Sequence, residues 1–152
     1  MSTVFTIGHS TQDWTTFEQL LVSAEIASVV DVRSNPASRL PHFNRAALTA
    51  RLNASGIAYV FMGAELGGRP SREVVPDYDC IANTAAFNRG IEQVERLASR
   101  TRLALMCSEH EPLTCHRCLL VGRSLAKRGV AVAHILRDGA ISAANVHFVR
   151  GH

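Results

Sequence analysis

The sequence predicts an α/β chain: a single three-layer domain, residues 1–152, with a mainly parallel sheet of roughly five strands flanked by helices. Three observations predict it. Short runs rich in β-branched and aromatic residues alternate with segments of ten or more residues that keep helical spacing, which is the pattern of βαβ units. The strand runs are apolar on consecutive residues, as strands buried on both faces are. The chemically unusual residues fall just after the strands, where α/β sheets bind ligands. A chain of 152 residues with 47% hydrophobic and 19% charged side chains is ordinary globular material, long enough to bury a core.

The first strand is Val4–Ile7, stopped by Gly8. Asp13 is placed to cap a helix from Trp14 to about Ala24, with Phe17, Leu20, Leu21 and Ala24 on one face and Glu18 and Glu25 facing away. Ala27–Val32 is the second strand, its apolar run broken by Asp31 and followed by Arg33. Residues 34–43 carry Pro36 and Pro41 and read as an irregular loop. Asn44 caps a helix from Arg45 to about Ala54, terminated by Gly56.

Ile57–Met62 is the third strand, followed by a connection from Gly63 to about Ile81, a length typical of functional or mobile loops. Phe87, Ile91, Val94, Leu97 and Ala98 give residues 82–100 the best helical pattern in the chain. Arg102–Met106 is the fourth strand. Thr114 is an N-cap for a helix from Cys115 to Arg128, closed by Gly129. Val130–Leu136 is the fifth strand, Asp138-Gly139 a turn, and Val146–Val149 a short edge strand. The whole is Rossmann-like or flavodoxin-like in layering, with right-handed crossovers.

No apolar run approaches the roughly 18–20 residues that span a bilayer. The segment Met1–Phe5 has no basic region leading into an apolar stretch, so the expectation is a cytoplasmic protein with no membrane partner. A net charge of +3, with scattered basic residues, gives a weak attraction to anions and no clear nucleic-acid signature. The four cysteines read as reduced thiols rather than as a disulfide framework, which small secreted scaffolds use at higher density.

The stretch Leu103–Cys118 holds three of those cysteines together with Glu109, His110, Glu111, His116 and Arg117. If Thr114 caps the helix, Cys115, His116 and Arg117 occupy its first turn, where free N–H groups and the helix dipole lower a thiol's pKa and favour an anion. Cys115 is then the candidate nucleophile or redox centre, with His9, Glu109 and His116 as candidate acids and bases. Ser10, Asp31, Arg33, Gly67, Gly68, Arg69, Cys107 and Arg117 complete a candidate ligand-binding set, because each follows or ends a strand at the same sheet edge. Asp31 and Arg33 share a strand face, so an internal ion pair is as open a reading as anion recognition. Cys118, one turn after Cys115, is expected to pack on the sheet, and His134 and His147 to be structural.

Two other functions stay open. Cys107, Glu109, His110, Cys115, His116 and Cys118 offer enough sulfur and nitrogen for a metal site, although only Cys115-x2-Cys118 has a familiar spacing. The loop from Arg33 to Arg45, with His42 and Phe43 beside basic residues, suits a nucleic-acid-binding module. A cysteine loop closed by arginine six residues on, as in phosphatase and sulfurtransferase cradles, is absent: the sixth residue after Cys107 is Leu113.

Thr6-Ile7-Gly8-His9-Ser10, Asp31-Val32-Arg33 with Pro36 and Ser38, Leu66-Gly67-Gly68-Arg69-Pro70, and Cys107-Ser108-Glu109 with Cys115-His116-Arg117 together resemble the domain of unknown function 488 family. The resemblance runs from Thr6 to about Leu136. It implies an α/β domain found in mostly prokaryotic, cytoplasmic proteins, and it brings no established activity. The expected function is a small-ligand pocket at the carboxyl edge of the sheet for an anionic or nucleotide-like molecule, with cysteine-dependent chemistry. The sequence names no cofactor and no oligomeric state.

Overall fold

The computed structural model describes residues 3–8, 13–33, 41–66, 85–107, 116–136 and 138–143, with the backbone alone at 64, 65, 107, 116–120 and 143. Strands β1 (Thr3–Gly8), β2 (Ser28–Asp31), β3 (Ala58–Phe61), β4 (Leu103–Cys107), β5 (Ala131–Ile135) and β6 (Ile141–Ala143) form one sheet in the order β3-β2-β4-β1-β5-β6. Every pairing is parallel except that of β6 with β5. The three-layer α/β class expected from the sequence is therefore present. The sixth strand is a hairpin partner that reverses after Gly139, whose φ of +90° makes the turn. The expected edge strand at Val146–Val149 lies outside the described residues.

Helices α1 (Trp14–Ser23), α2 (Arg45–Ala54), α3 (Gly63–Leu66), α4 (Ala85–Ala98) and α5 (His116–Lys127) connect the strands, and a 3-10 turn spans Pro41–Phe43. The sequence pattern set the bounds of α2 to the residue. It missed α3 and the 3-10 turn, which are too short to display a period. Asp13 caps α1 as expected: its Oδ1 accepts from the Thr16 N–H at 2.8 Å, and hydrogen bonds from the Thr16 side chain and then its backbone hold the carboxyl below its usual pKa. Asn44 stands at the N-cap of α2 with extended backbone but makes no side-chain cap bond. Glu18 does not simply face away. Its carboxylate accepts a hydrogen bond from Ser55 at the end of α2, linking two neighbouring helices.

The end of α1 carries a signal that composition hides. Glu25 has φ of +58°, a left-handed conformation that a glycine adopts without strain. It lets the Ile26 N–H reach the Leu21 carbonyl at 2.9 Å and turns the chain into β2.

Side-chain alternation along the strands divides the core in two. Val4, Val30, Val32, Leu103, Leu105 and Val132 pack under Phe87, Ile91 and Val94 of α4 and Val121 and Leu125 of α5. Phe5, Ile7, Val29, Ala104, Met106 and Ala133 pack under Phe17, Leu20 and Leu21 of α1 and Leu48 and Leu52 of α2. Right-handed crossovers account for this partition. The β1-to-β2 and β2-to-β3 connections travel one way along the sheet and carry α1 and α2 on one face. The β3-to-β4 and β4-to-β5 connections travel back and carry α4 and α5 on the other.

Candidate functional site

The strand order fixes where a ligand site is possible. β1 and β4 are neighbours, with Gly8 opposite Cys107 at their carboxyl ends. From there the chain leaves β1 over one face towards β2, and leaves β4 over the other face towards β5. Connections that diverge from adjacent parallel strands open a crevice above the strand ends, the topological switch point of an α/β sheet. β2 lies on the other side of β4, with Asp31 opposite Met106.

The described chemistry at this edge is a buried charged cluster. Asp31 is fully buried and Arg33 is 1% exposed. The Arg33 Nε–H donates to Asp31 Oδ1 at 2.9 Å and an NH2 hydrogen donates to Oδ2 at 2.8 Å, a two-pronged ion pair. The backbone N–H of Arg33 also donates to Oδ1, at 3.0 Å, closing a tight turn just past the strand. The third guanidinium nitrogen donates to the Phe43 carbonyl at 2.8 Å. That bond fastens the 3-10 turn to the strand end, and Phe43 itself is fully buried with its ring edge-on to Phe17.

Asp31 Oδ2 further accepts from the Tyr59 hydroxyl at 2.6 Å. Burial pushes the phenol's pKa well above 10.0, and the hydrogen bond to the Asp31 carboxylate adds to that shift. The native state therefore favours the neutral phenol. Its stabilising contribution is complete below the free-tyrosine pKa of 10.0 and is lost as pH rises through the higher folded value. Phenolate absorbance of the wild type minus that of Tyr59→Phe should show no ionisation of Tyr59 near pH 10 while the fold persists. A difference signal with a midpoint near 10 would contradict this.

Two backbone contacts lock the cluster to its neighbours. Val32 N–H donates to the Met106 carbonyl at 3.1 Å and Met62 N–H to the Asp31 carbonyl at 2.9 Å. The next residue, Gly63, lies so close to Arg33 that a Cβ there would stand 1.9 Å from the Arg33 carbonyl oxygen.

Of the residues singled out from the sequence, Asp31 and Arg33 are brought together directly. Cys107 ends β4 and His116 and Arg117 open α5, so their backbones stand at the carboxyl edge. His9, Ser10, Gly67, Gly68, Arg69, Glu109 and Cys115 lie outside the described residues, as do the remaining metal candidate His110 and the cap Thr114. Among the described residues, no three His, Cys, Asp or Glu side chains assemble as a metal site. Sequence reasoning missed Tyr59 and the Phe43 carbonyl. Tyr59 carries no signal of its own in the sequence: it reaches Asp31 through the register that sets Phe61 opposite Asp31. His134 was read as structural; its Nδ1 lies 2.6 Å from the hydroxyl of buried Thr6 on the neighbouring strand.

Two hollows lined by described residues lie away from this edge. One, of about 430 Å³, sits at the amino ends of the strands by Thr3, Arg100 and Arg102. The other, of about 360 Å³, lies between α4 and β3. Neither hollow is lined by Asp31 or Arg33, the buried charged pair at the carboxyl edge.

The fold and this edge define a three-layer α/β domain with a buried Asp–Arg pair beside its switch point. Residues 13–124 match the family model described as Domain of unknown function DUF488, and the chain belongs to that family. No curated protein and no solved structure matches it significantly. Among the described residues no helix is long and apolar enough to cross a membrane.

Proposed function

We propose that the chain binds a small anionic or nucleotide-like ligand at the carboxyl edge of its sheet, with Cys115 as an activated thiol. The observation that carries the reading is the adjacency of β1 and β4 at the point where their connections diverge. Asp31 and Arg33 form a rigid buried wall beside it. The helix that follows β4 begins at His116, so Cys115 immediately precedes its first turn. Unpaired N–H groups and the helix dipole favour negative charge there, whether a thiolate or a bound anion. Arg69 and Arg117 supply positive charge for the ligand, while His9, Glu109 and His116 supply groups able to exchange protons near neutral or mildly acidic pH. Arg33 acts as a positioning residue, held in that wall by Asp31 and the Phe43 carbonyl.

The test is the rate of alkylation of Cys115 by iodoacetamide across pH, with Cys115→Ser identifying its share of the signal. An apparent pKa of about 7 or below is expected for a thiolate stabilised in this way. A value at or above about 8.5, that of a free thiol, removes the activated cysteine.

A further inference from the structure

We infer that the open edge of β3, together with the overhanging flank of α4, is a docking groove for an acidic, extended peptide segment of another protein, which would add to the sheet as a strand. This reading is independent of the pocket at the carboxyl edge.

Among the described residues the sheet ends at β3. Ala58 N–H donates to the Ala27 carbonyl and Met62 N–H to the Asp31 carbonyl. In a parallel ladder, alternate residues turn both backbone polar groups to the same neighbour. Ala58, Val60 and Met62 therefore face β2, and the N–H and C=O of Tyr59 and Phe61 point off the edge of the sheet. The four residues Ala58-Tyr59-Val60-Phe61 contain neither lysine nor proline, the residues that commonly protect an edge. Ala58 is exposed and the other three are half-buried.

The flank of α4 above this edge is basic. Arg89, Gln93 and Arg96 recur at helical spacing along α4, Arg100 follows in the turn after it, and all four are exposed. The opposite flank carries Glu92 and Glu95, both paired with Arg128 after α5. Among the described residues, Arg89, Arg96 and Arg100 have no acidic partner. Glu92 and Glu95 are thus engaged by Arg128, while Arg96 and Arg100 line the groove beside β3. Between that stripe and the strand lies the 360 Å³ groove, lined by Val60, Gln93, Arg96, Leu97 and Arg100, with Val60 and Leu97 as its apolar floor.

An extended peptide fits each of these features. Its backbone would pair with the outward groups of Tyr59 and Phe61. Glutamates on the face turned to α4 would meet Arg96 and Arg100, with their methylene groups lying over Val60 and Leu97. A nucleic-acid strand would use the arginines but not the open backbone edge, so the peptide is the better match.

The experiment titrates the intact chain with the peptide Glu-Val-Glu-Thr-Glu-Val-Glu, its lysine-for-glutamate counterpart, a version N-methylated at alternate amides, and oligothymidylate. The acidic peptide should bind with an affinity that falls as salt rises. Binding should slow amide exchange at Tyr59 and Phe61, and should weaken at least about tenfold in Arg96→Glu/Arg100→Glu through lost charge complementarity. The lysine peptide should not bind. Absence of acidic-peptide binding at low salt, equal binding by the N-methylated version, or unchanged exchange at Tyr59 and Phe61 would overturn strand addition. Binding of oligothymidylate in place of the peptide would reassign the surface to nucleic acid.

Discussion

Arg33→Met should destabilise the fold by about 3–5 kcal/mol, the usual cost of removing one partner of a buried ion pair. The side chain is 1% exposed and its partner Asp31 is fully buried. Without the guanidinium, the carboxylate keeps the Tyr59 hydroxyl and the Arg33 backbone N–H but loses its only ion-pair partner among the described residues. The Phe43 carbonyl loses a donor as well, which releases the 3-10 turn from the strand end. Urea unfolding followed by far-UV circular dichroism gives the midpoint, and an unchanged slope would show that the unfolded state is the same. The double variant Asp31→Asn/Arg33→Met should recover part of the loss, because the uncompensated charge is gone. Arg33→Lys should fall between the two, since an ammonium keeps the charge without the two-pronged geometry. A cost below about 1 kcal/mol for Arg33→Met, the range of a surface pair, would mean that the pair is not buried in solution. The predicted loss also governs how ligand binding is to be read: a binding defect in Arg33→Met counts only where the protein is still folded.

Asp31 and Arg33 were legible in the sequence because charges inside a continuous apolar run must be explained locally, and strand parity puts two residues of alternate position on one face. Their partners were not. Tyr59 meets Asp31 only because β3 pairs with β2 in a register that sets Asp31 opposite Phe61, and register depends on pairing across the whole intervening helix. The same limit applies to the sheet. Periodicity assigned helices and strands well where segments were long, as for Arg45–Ala54. It carries no information on which strands are neighbours, so the insertion of β4 between β2 and β1 was invisible. That insertion is what places Gly8 beside Cys107 and defines the switch point. Short elements, α3 and β6, escaped because four or three residues cannot show a repeat. The left-handed Glu25 escaped because no glycine marks it.

Gly63→Ala should be the most damaging single-methyl change in the described structure, at about 3 kcal/mol, the upper end of the range for overpacking. Its added Cβ would meet the Arg33 carbonyl oxygen at 1.9 Å and the Phe61 ring at 2.6 Å. An aromatic ring can rotate away, but the carbonyl belongs to backbone held by Asp31 and by the guanidinium anchor at Phe43. The conflict is therefore with space rather than with φ, because Gly63 is not among the glycines with positive φ. The chain must either push α3 off the end of β2 or distort the turn that presents Arg33. Gly122→Ala is the matched control. Its Cβ would lie 3.9 Å from a methyl of Val132, an ordinary contact inside a helix, so it should stabilise by about 0.5–1 kcal/mol through helix propensity. Denaturation midpoints of the two variants should move in opposite directions from the wild type. Equal shifts would show that the close approach of Gly63 to Arg33 does not exist in solution. If they do move oppositely, the loss in Gly63→Ala should be much smaller when Arg33 is already methionine, because the turn it clashes with is then no longer pinned by Asp31 and Phe43.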